Sequence, residues 1–137
     1  MEKNNIEELL PQHPPFIMVD ALTEYDNDAA ETQFEVKADN LLVKDGKLRT
    51  CGLIENIAQT SAARIGYYYK YVLHQPVQMG FVGSIRGMKV KRNPQVGEVL
   101  TTRIEIIAEA FGMVAFAATV RDGSGDVIAK AEMKTAI

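Results

Sequence analysis

Glu55 is the side chain in this sequence that is best placed to do chemistry. It lies near the start of the longest apolar stretch, which runs from Gly52 to Ala63. A carboxylate in such a stretch loses part of its hydration, and carboxylates held in this way are either helix-capping residues or working acids and bases. With Gly52 as the N-cap, Glu55 would be the third helical residue, where a glutamate satisfies backbone N–H groups. Both roles stay open at this stage.

Three neighbours of Glu55 are candidates for binding a ligand. Gln59 lies one helical turn further along the same face, where its amide can hold the Glu55 carboxyl, touch a ligand or bond to a facing sheet. Cys51 and Gly52 can present backbone N–H groups at the helix start, where they would polarise a carbonyl oxygen. Cys51 is disfavoured as a nucleophile, because no histidine is near it in the sequence to activate it.

The two histidines, His13 and His74, are far apart in the sequence. His13 is a candidate acid if the fold brings it to Glu55, and otherwise a surface or capping residue. His74 follows the apolar stretch, where the dipole at a helix C-terminus would stabilise it. The single cysteine excludes an internal disulfide, and no Cys/His group has the spacing of a zinc site. We therefore expect no metal and no cofactor.

Composition narrows the classes of function. The chain has 137 residues, a net charge of -3, 47% hydrophobic residues and 24% charged residues, which predicts one globular domain over residues 1–137. Its scattered basic residues argue against a nucleic-acid surface. No apolar run approaches the ~20 residues that span a bilayer, and the N-terminus is polar. We therefore expect no membrane association and a cytoplasmic location.

The remaining sequence predicts the elements that must position Glu55. A short helix over Ile6–Leu10 and a long helix over about Gly52–Tyr71 are expected, with a polar loop over Asp39–Thr50. Alternating or apolar segments predict strands over Phe16–Tyr25, Ala30–Ala38, Val77–Val90, Glu98–Glu109, Gly112–Arg121 and Val127–Ala136. An α+β hotdog fold, with an antiparallel sheet wrapped around a long central helix, satisfies these patterns, and an ordinary α+β sandwich is the alternative.

Three segments resemble the hotdog β-hydroxyacyl-acyl-carrier-protein dehydratases. Leu10–Asp20, LPQHPPFIMVD, is similar to their LPHR-PFLLVD signature, and Leu53–Gln59, LIENIAQ, to their LIEAMAQ helix start. Gly80–Ile85 and Lys89–Glu98 resemble their YFLGIDDVKFRRPVVPGD segment. Each motif alone is weak, but the three occur in the family's order over roughly the whole chain. The resemblance supports the hotdog fold.

The resemblance also implies a substrate and an assembly. The substrate would be a 3-hydroxyacyl thioester of acyl carrier protein or coenzyme A, bound in tunnels between the subunits of a homodimer or a dimer of dimers. In this family a helix glutamate and a histidine of the partner subunit form the acid/base pair, and Glu55 matches the glutamate. The implied substrate-binding residues are Cys51, Gly52, Gln59, Phe81 and Gly83. The basic residues Arg86, Lys89, Lys91 and Arg92 would receive an acidic carrier protein, or form a solvated strand face.

One loop departs from the family pattern. The family's histidine lies in a GHFPG-P-PG loop before the helix, whereas residues 40–52 of this chain contain no histidine. In the first motif Gln12 stands at the family's histidine position and His13 lies one place later. Three functions stay open: a dehydratase using Glu55 with His13 as a substitute acid, a thioesterase in which Glu55 activates water, and a non-catalytic acyl-binding partner of an active dehydratase.

Overall fold

A six-stranded antiparallel sheet wraps one long helix. The computed structural model describes residues 5–77 and 80–136, and the side chain of Phe81 lies outside what it describes. The elements in chain order are α1 (Ile6–Leu9), β1 (Ala21–Tyr25), β2 (Ala29–Glu35), β3 (Val43–Lys44), β4 (Lys47–Leu48), α2 (Thr50–Tyr67), β5 (Phe81–Val90), β6 (Val99–Ala110), β7 (Met113–Arg121) and β8 (Val127–Ala136). A π-helical segment over Tyr68–Val72 continues α2. None of the described helices is long and apolar enough to cross a membrane.

The strand order of the large sheet is β1-β2-β6-β7-β8-β5, and all neighbouring strands are antiparallel. Alternate residues of each central strand are buried against the helix, because successive side chains of a strand point to opposite faces. In β7 these are Val114, Phe116, Ala118 and Val120, as the alternation predicted. The predicted hotdog architecture is confirmed.

The face of α2 that packs on the sheet is partly polar, and its polar groups are paired. Leu53 and Ile57 are fully buried on this side. The Asn56 Oδ1 atom accepts a hydrogen bond of 2.6 Å from the Thr102 hydroxyl, and the Thr60 and Thr32 hydroxyls lie 2.8 Å apart. These bonds offset the cost of burying the polar groups and fix the helix on strands β2 and β6.

The first strand is shorter than the sequence predicted. It begins at Ala21 rather than Phe16, because side-chain amides of α2 occupy backbone groups of the preceding segment. The Met18 N–H donates to Gln59 Oε1 at 2.6 Å, and Asn56 Nδ2 donates to the Met18 carbonyl at 2.8 Å. Residues 16–18 therefore lie along the helix instead of joining the sheet.

The long helix also begins and ends earlier than predicted. Arg49 is its N-cap and Thr50 its first residue, so Gly52 is not the N-cap that the capping role of Glu55 required. The regular α-helix ends at Tyr67, and the π-helical segment covers the predicted last turn. The predicted polar loop over residues 39–50 contains the β3–β4 hairpin, whose turn is at the expected Asp45-Gly46.

Candidate functional site

A cavity of about 220 Å³ opens beside α2 at Glu55. Ala58 and Ala62 form its helix wall, and their short side chains leave room for a ligand. Val82 of β5 lies on another side, and Gln12 and Thr135 contribute polar side chains to the lining. Glu55 is half-buried there, so its carboxylate faces both protein and open space. We call this space the Glu55 cavity.

Gln59 fixes one oxygen of the Glu55 carboxylate. Its Nε2 atom donates to Glu55 Oε1 at 2.9 Å and to the Phe16 carbonyl at 2.8 Å. Its Oε1 atom accepts from the Met18 N–H, so the fully buried amide is held from three directions. Glu55 Oε2 has no hydrogen-bond partner among the described residues. A carboxylate with one oxygen anchored and one open can exchange a proton with a bound ligand.

Two polar atoms in the lining of the cavity are unpaired. Gln12 Oε1 and Thr135 Oγ1 are buried, and neither has a hydrogen-bond partner among the described residues. Sequence reasoning missed both residues as site residues. Thr135 continues the inward alternation of Ala131 and Met133, so a hydroxyl on that apolar face was a signal available in the sequence. Gln12 gave a weaker signal, its position in the first motif.

The helix start is not part of the lining of the Glu55 cavity. Cys51 is exposed, and the Gly52 N–H already donates to the Arg49 carbonyl at 2.8 Å. Gly52 is buried so tightly that an added Cβ would lie 2.6 Å from the Leu48 Cδ1 atom. Neither Cys51 nor Gly52 lines the cavity. Gly52 precedes Glu55 by three residues on the same helix, so it lies about one turn from Glu55 without lining the cavity.

The other predicted site residues also lie outside the lining. His13 is exposed although it follows Gln12, and His74 is exposed with a positive φ of 53° beyond the π-helical segment. Gly83 is exposed on β5, at a register irregularity between its neighbours. The predicted contact by Phe81 falls on a side chain outside the described part of the chain. Within the described residues, no three His, Cys, Asp or Glu side chains are arranged to hold a metal ion.

A second cavity of about 280 Å³ lies further along α2, beyond Ile65, which lines both cavities. Arg64 is nine-tenths buried in its wall and donates from NH2 to the Asn27 carbonyl at 2.5 Å. The Glu109 carboxylate lies 3.5 Å from the same nitrogen. Burial raises the pKa of the neighbouring Tyr25 phenol, and the positive charge of Arg64 partly opposes this rise.

The tyrosines at the end of α2 pack on one another and on Tyr25 of β1. The Tyr67 ring centroid lies 4.5 Å from that of Tyr25 and 4.8 Å from that of Tyr71. Such tilted aromatic pairs add to the stability that comes from burial. Of these rings only Tyr25 lines the second cavity, together with Tyr68, which stays partly exposed.

Two of the four predicted basic residues are in ion pairs. Arg86 contacts Glu132 at 2.9 Å, and Arg92 bonds to both Glu98 and Asp122. The Arg92 guanidinium lowers the pKa of both of its carboxylate partners. Lys89 and Lys91 are exposed without such a partner among the described residues. The geometry fits the solvated strand face that the sequence left open.

Comparison with known proteins places this geometry among the hotdog proteins. The family model for ApeP-like proteins, described as ApeP dehydratase, matches residues 4–136. Two Vibrio vulnificus proteins, 3-hydroxyacyl-[acyl-carrier-protein] dehydratase FabZ of strains YJ016 and CMCP6, are each 26% identical over 146 residues, which is 99% of this chain and 93% of theirs.

Solved structures show the same fold. The dehydratase heterocomplex ApeI:P from Xenorhabdus doucetiae matches with a TM-score of 0.90 and 17% identity, over 98% of this chain and 91% of that chain. The PaaI protein of E. coli, from a phenylacetic acid degradation operon, matches with a TM-score of 0.66 and 12% identity, over 85% and 81% of the two chains. A hypothetical thioesterase with coenzyme A from Streptococcus pneumoniae TIGR4 matches with a TM-score of 0.67 and 12% identity, over 85% and 83%.

Proposed function

The chain belongs to the ApeP-like dehydratase family, and from that premise we propose that it dehydrates 3-hydroxyacyl thioesters to enoyl thioesters. The observation that carries the proposal is the Glu55 carboxylate, half-buried in a cavity and held at one oxygen by the buried amide of Gln59. The likeness to the FabZ enzymes supports acyl carrier protein as the carrier, and coenzyme A thioesters share the same phosphopantetheine arm. We also propose a cytoplasmic location for the protein.

A single carboxylate can carry the whole reaction. Glu55 Oε2 takes the proton from Cα, whose acidity the thioester carbonyl raises, and the electron pair of that bond forms the double bond between Cα and Cβ. The bond from Cβ to the hydroxyl oxygen breaks, and the departing oxygen takes the proton back from Glu55 and leaves as water. The same residue therefore acts first as the base and afterwards as the acid. The elimination of water is redox-neutral, so it needs no electron-transfer cofactor.

Replacing the carboxylate tests the proposal. Glu55→Gln keeps the size of the side chain and removes its basic oxygen, so the rate of enoyl thioester formation should fall by about 100-fold or more. The rate is measured from the ultraviolet absorbance of the conjugated product, starting from a 3-hydroxyacyl thioester. Glu35→Gln, at an exposed carboxylate of β2, is the matched control and should keep the full rate. Equal rates for Glu55→Gln and the wild type would contradict this role.

A second candidate function is an acyl-binding subunit of a two-chain dehydratase. It is favoured by one observation: neither histidine lines the Glu55 cavity. The similar fold of the ApeI:P heterocomplex supports a related hotdog chain as partner, and the dimer expected from the sequence would then be mixed rather than made of two copies. The partner would supply the histidine that residues 40–52 of this chain lack.

Product analysis distinguishes the candidates. The purified chain alone forms enoyl product if it is the dehydratase. An acyl-binding subunit forms none alone, but binds the thioester and changes the rate of a co-purified dehydratase. A thioesterase, in which Glu55 activates water, releases free thiol from saturated acyl thioesters. The enoyl absorbance and the free thiol are followed together in reactions with and without the co-purified dehydratase, and these readings separate the three outcomes.

A further inference from the structure

We propose that Thr135 and Gln12 bind the 3-hydroxyl group of the substrate beside Glu55. The inference rests on the proposed function, because it names the part of the substrate that these two residues recognise. In this proposal these two side chains, and not the carboxylate, give the protein its preference for hydroxylated over saturated acyl chains.

Thr135 faces the Glu55 cavity from the sheet. It lies on β8 opposite Val82 of β5 and Val114 of β7, and only 7% of it is exposed. Gln12 reaches the same cavity from the segment that follows α1. The two residues therefore belong to different parts of the chain, and the cavity that holds the Glu55 carboxylate is where they meet.

Unpaired atoms distinguish this pair from the other buried polar groups of the inner face. The hydroxyls of Thr32 and Thr102 are bonded to Thr60 and Asn56. Thr135 Oγ1, which is also buried, has no partner among the described residues, and the same holds for Gln12 Oε1. Burying a polar atom without a partner costs free energy, so a ligand that pairs with these atoms recovers that cost when it binds.

A hydroxyl is the ligand group that satisfies both atoms. The Thr135 hydroxyl can donate, whereas Gln12 Oε1 can only accept. A 3-hydroxyl accepts from Thr135 and donates to Gln12, and it stays within reach of both when it leaves as water. A saturated acyl chain leaves both protein atoms unpaired. A site built in this way rejects an analogue that lacks the hydroxyl more strongly than an apolar pocket does.

Binding measurements with two unreactive ligands test this inference. The ligands are pantetheine analogues with an amide in place of the thioester, one carrying a 3-hydroxyacyl chain and the other a saturated chain of equal length. Isothermal titration calorimetry should show that the wild type prefers the hydroxylated ligand by about tenfold or more, as two hydrogen bonds allow. Thr135→Val and Gln12→Met should each lose most of this preference and keep the affinity for the saturated ligand.

Two further variants control for structure. Thr135→Ser retains the hydroxyl and should retain the preference, while Thr119→Val, on the outer side of β7, should leave both affinities unchanged. If Thr135→Val and Gln12→Met melt like the wild type and keep the full preference, the inference is wrong and the proposed function stands. If the wild type binds neither ligand, the proposed function itself fails, and this inference fails with it.

Discussion

The Gln59 side chain couples the candidate site to the fold. Its amide holds the Glu55 carboxylate and, at the same time, the backbone of residues 16–18. The three bonds use both N–H groups and the carbonyl oxygen of one fully buried amide. Because the position of Glu55 depends on this amide, the geometry for proton transfer and the stability of the N-terminal segment depend on the same residue.

Gln59→Leu should therefore reduce both stability and activity. Leucine has a similar side-chain volume, but it leaves the Met18 N–H and the Phe16 carbonyl without their partner. This loss should lower the free energy of unfolding by about 2–4 kcal/mol. Guanidinium denaturation measures this loss. Gln33→Leu, at an exposed position of β2, is the control and should change the free energy of unfolding by less than about 0.5 kcal/mol. Equal unfolding free energies for Gln59→Leu and the wild type would refute the coupling.

At the scale of elements, helix α1 packs against α2 through Gly66. An added Cβ at this position would lie 1.9 Å from the Leu9 carbonyl oxygen, which belongs to backbone and cannot rotate away. Leu9 is fully buried in this contact. The close approach brings the end of α1 down onto the helix and so directs the following segment, with Gln12, towards the Glu55 cavity.

Gly66→Ala should lower the melting temperature by at least about 5 °C. The direction of this change in melting temperature is informative, because alanine in an unobstructed helix is more favourable than glycine by about 1 kcal/mol. Differential scanning calorimetry measures the change. Gly123→Ala is the control, since an added Cβ there meets no atom within 4 Å, and it should melt close to the wild type. A higher melting temperature for Gly66→Ala would show that the two helices do not approach so closely.

At the scale of the whole molecule, strand β5 forms an open edge of the sheet. Val82 and Ile85 are 46% and 39% exposed, although their cross-strand partners Thr135 and Met133 are buried. Directly paired residues of a sheet point to the same face, so these two apolar side chains extend the inner face beyond the cover of α2. An open edge with exposed apolar side chains is a surface on which another chain can pair.

Ile85→Glu should therefore weaken the proposed pairing with a second hotdog subunit. The carboxylate would be desolvated in the interface without a counter-charge, so the mass of the protein in solution should shift towards that of one chain. Size-exclusion chromatography with light scattering measures this mass. Val96→Glu, at an exposed apolar residue of the turn before β6, serves as the control and should leave the mass unchanged. A wild type that runs as a single chain, alone and with a related dehydratase, would exclude the pairing.

Local spacing explains which parts of the fold could be predicted. The alternation in β7 follows the two-residue period of a strand, and the apolar stretch of α2 is too long for one strand, so both elements could be predicted directly. The first strand was predicted too long because the partners of the Met18 backbone are side chains of α2, far away in the sequence. No local pattern reveals that competition.

The candidate site could likewise be predicted only in part from the sequence. The sequence places Gln59 one helical turn from Glu55 on the same face, because residues four apart on a helix are neighbours. The sequence left open whether its amide holds the carboxylate, a ligand or the sheet, and the structure shows the bond to Glu55. The packing of the chain shows that Gln12 and Thr135 line the same cavity as Glu55, whereas Gly52 is not part of that lining. The physical reason is that a cavity is the space left between distant segments when they pack, and its lining depends on the packing of the whole sheet around the helix.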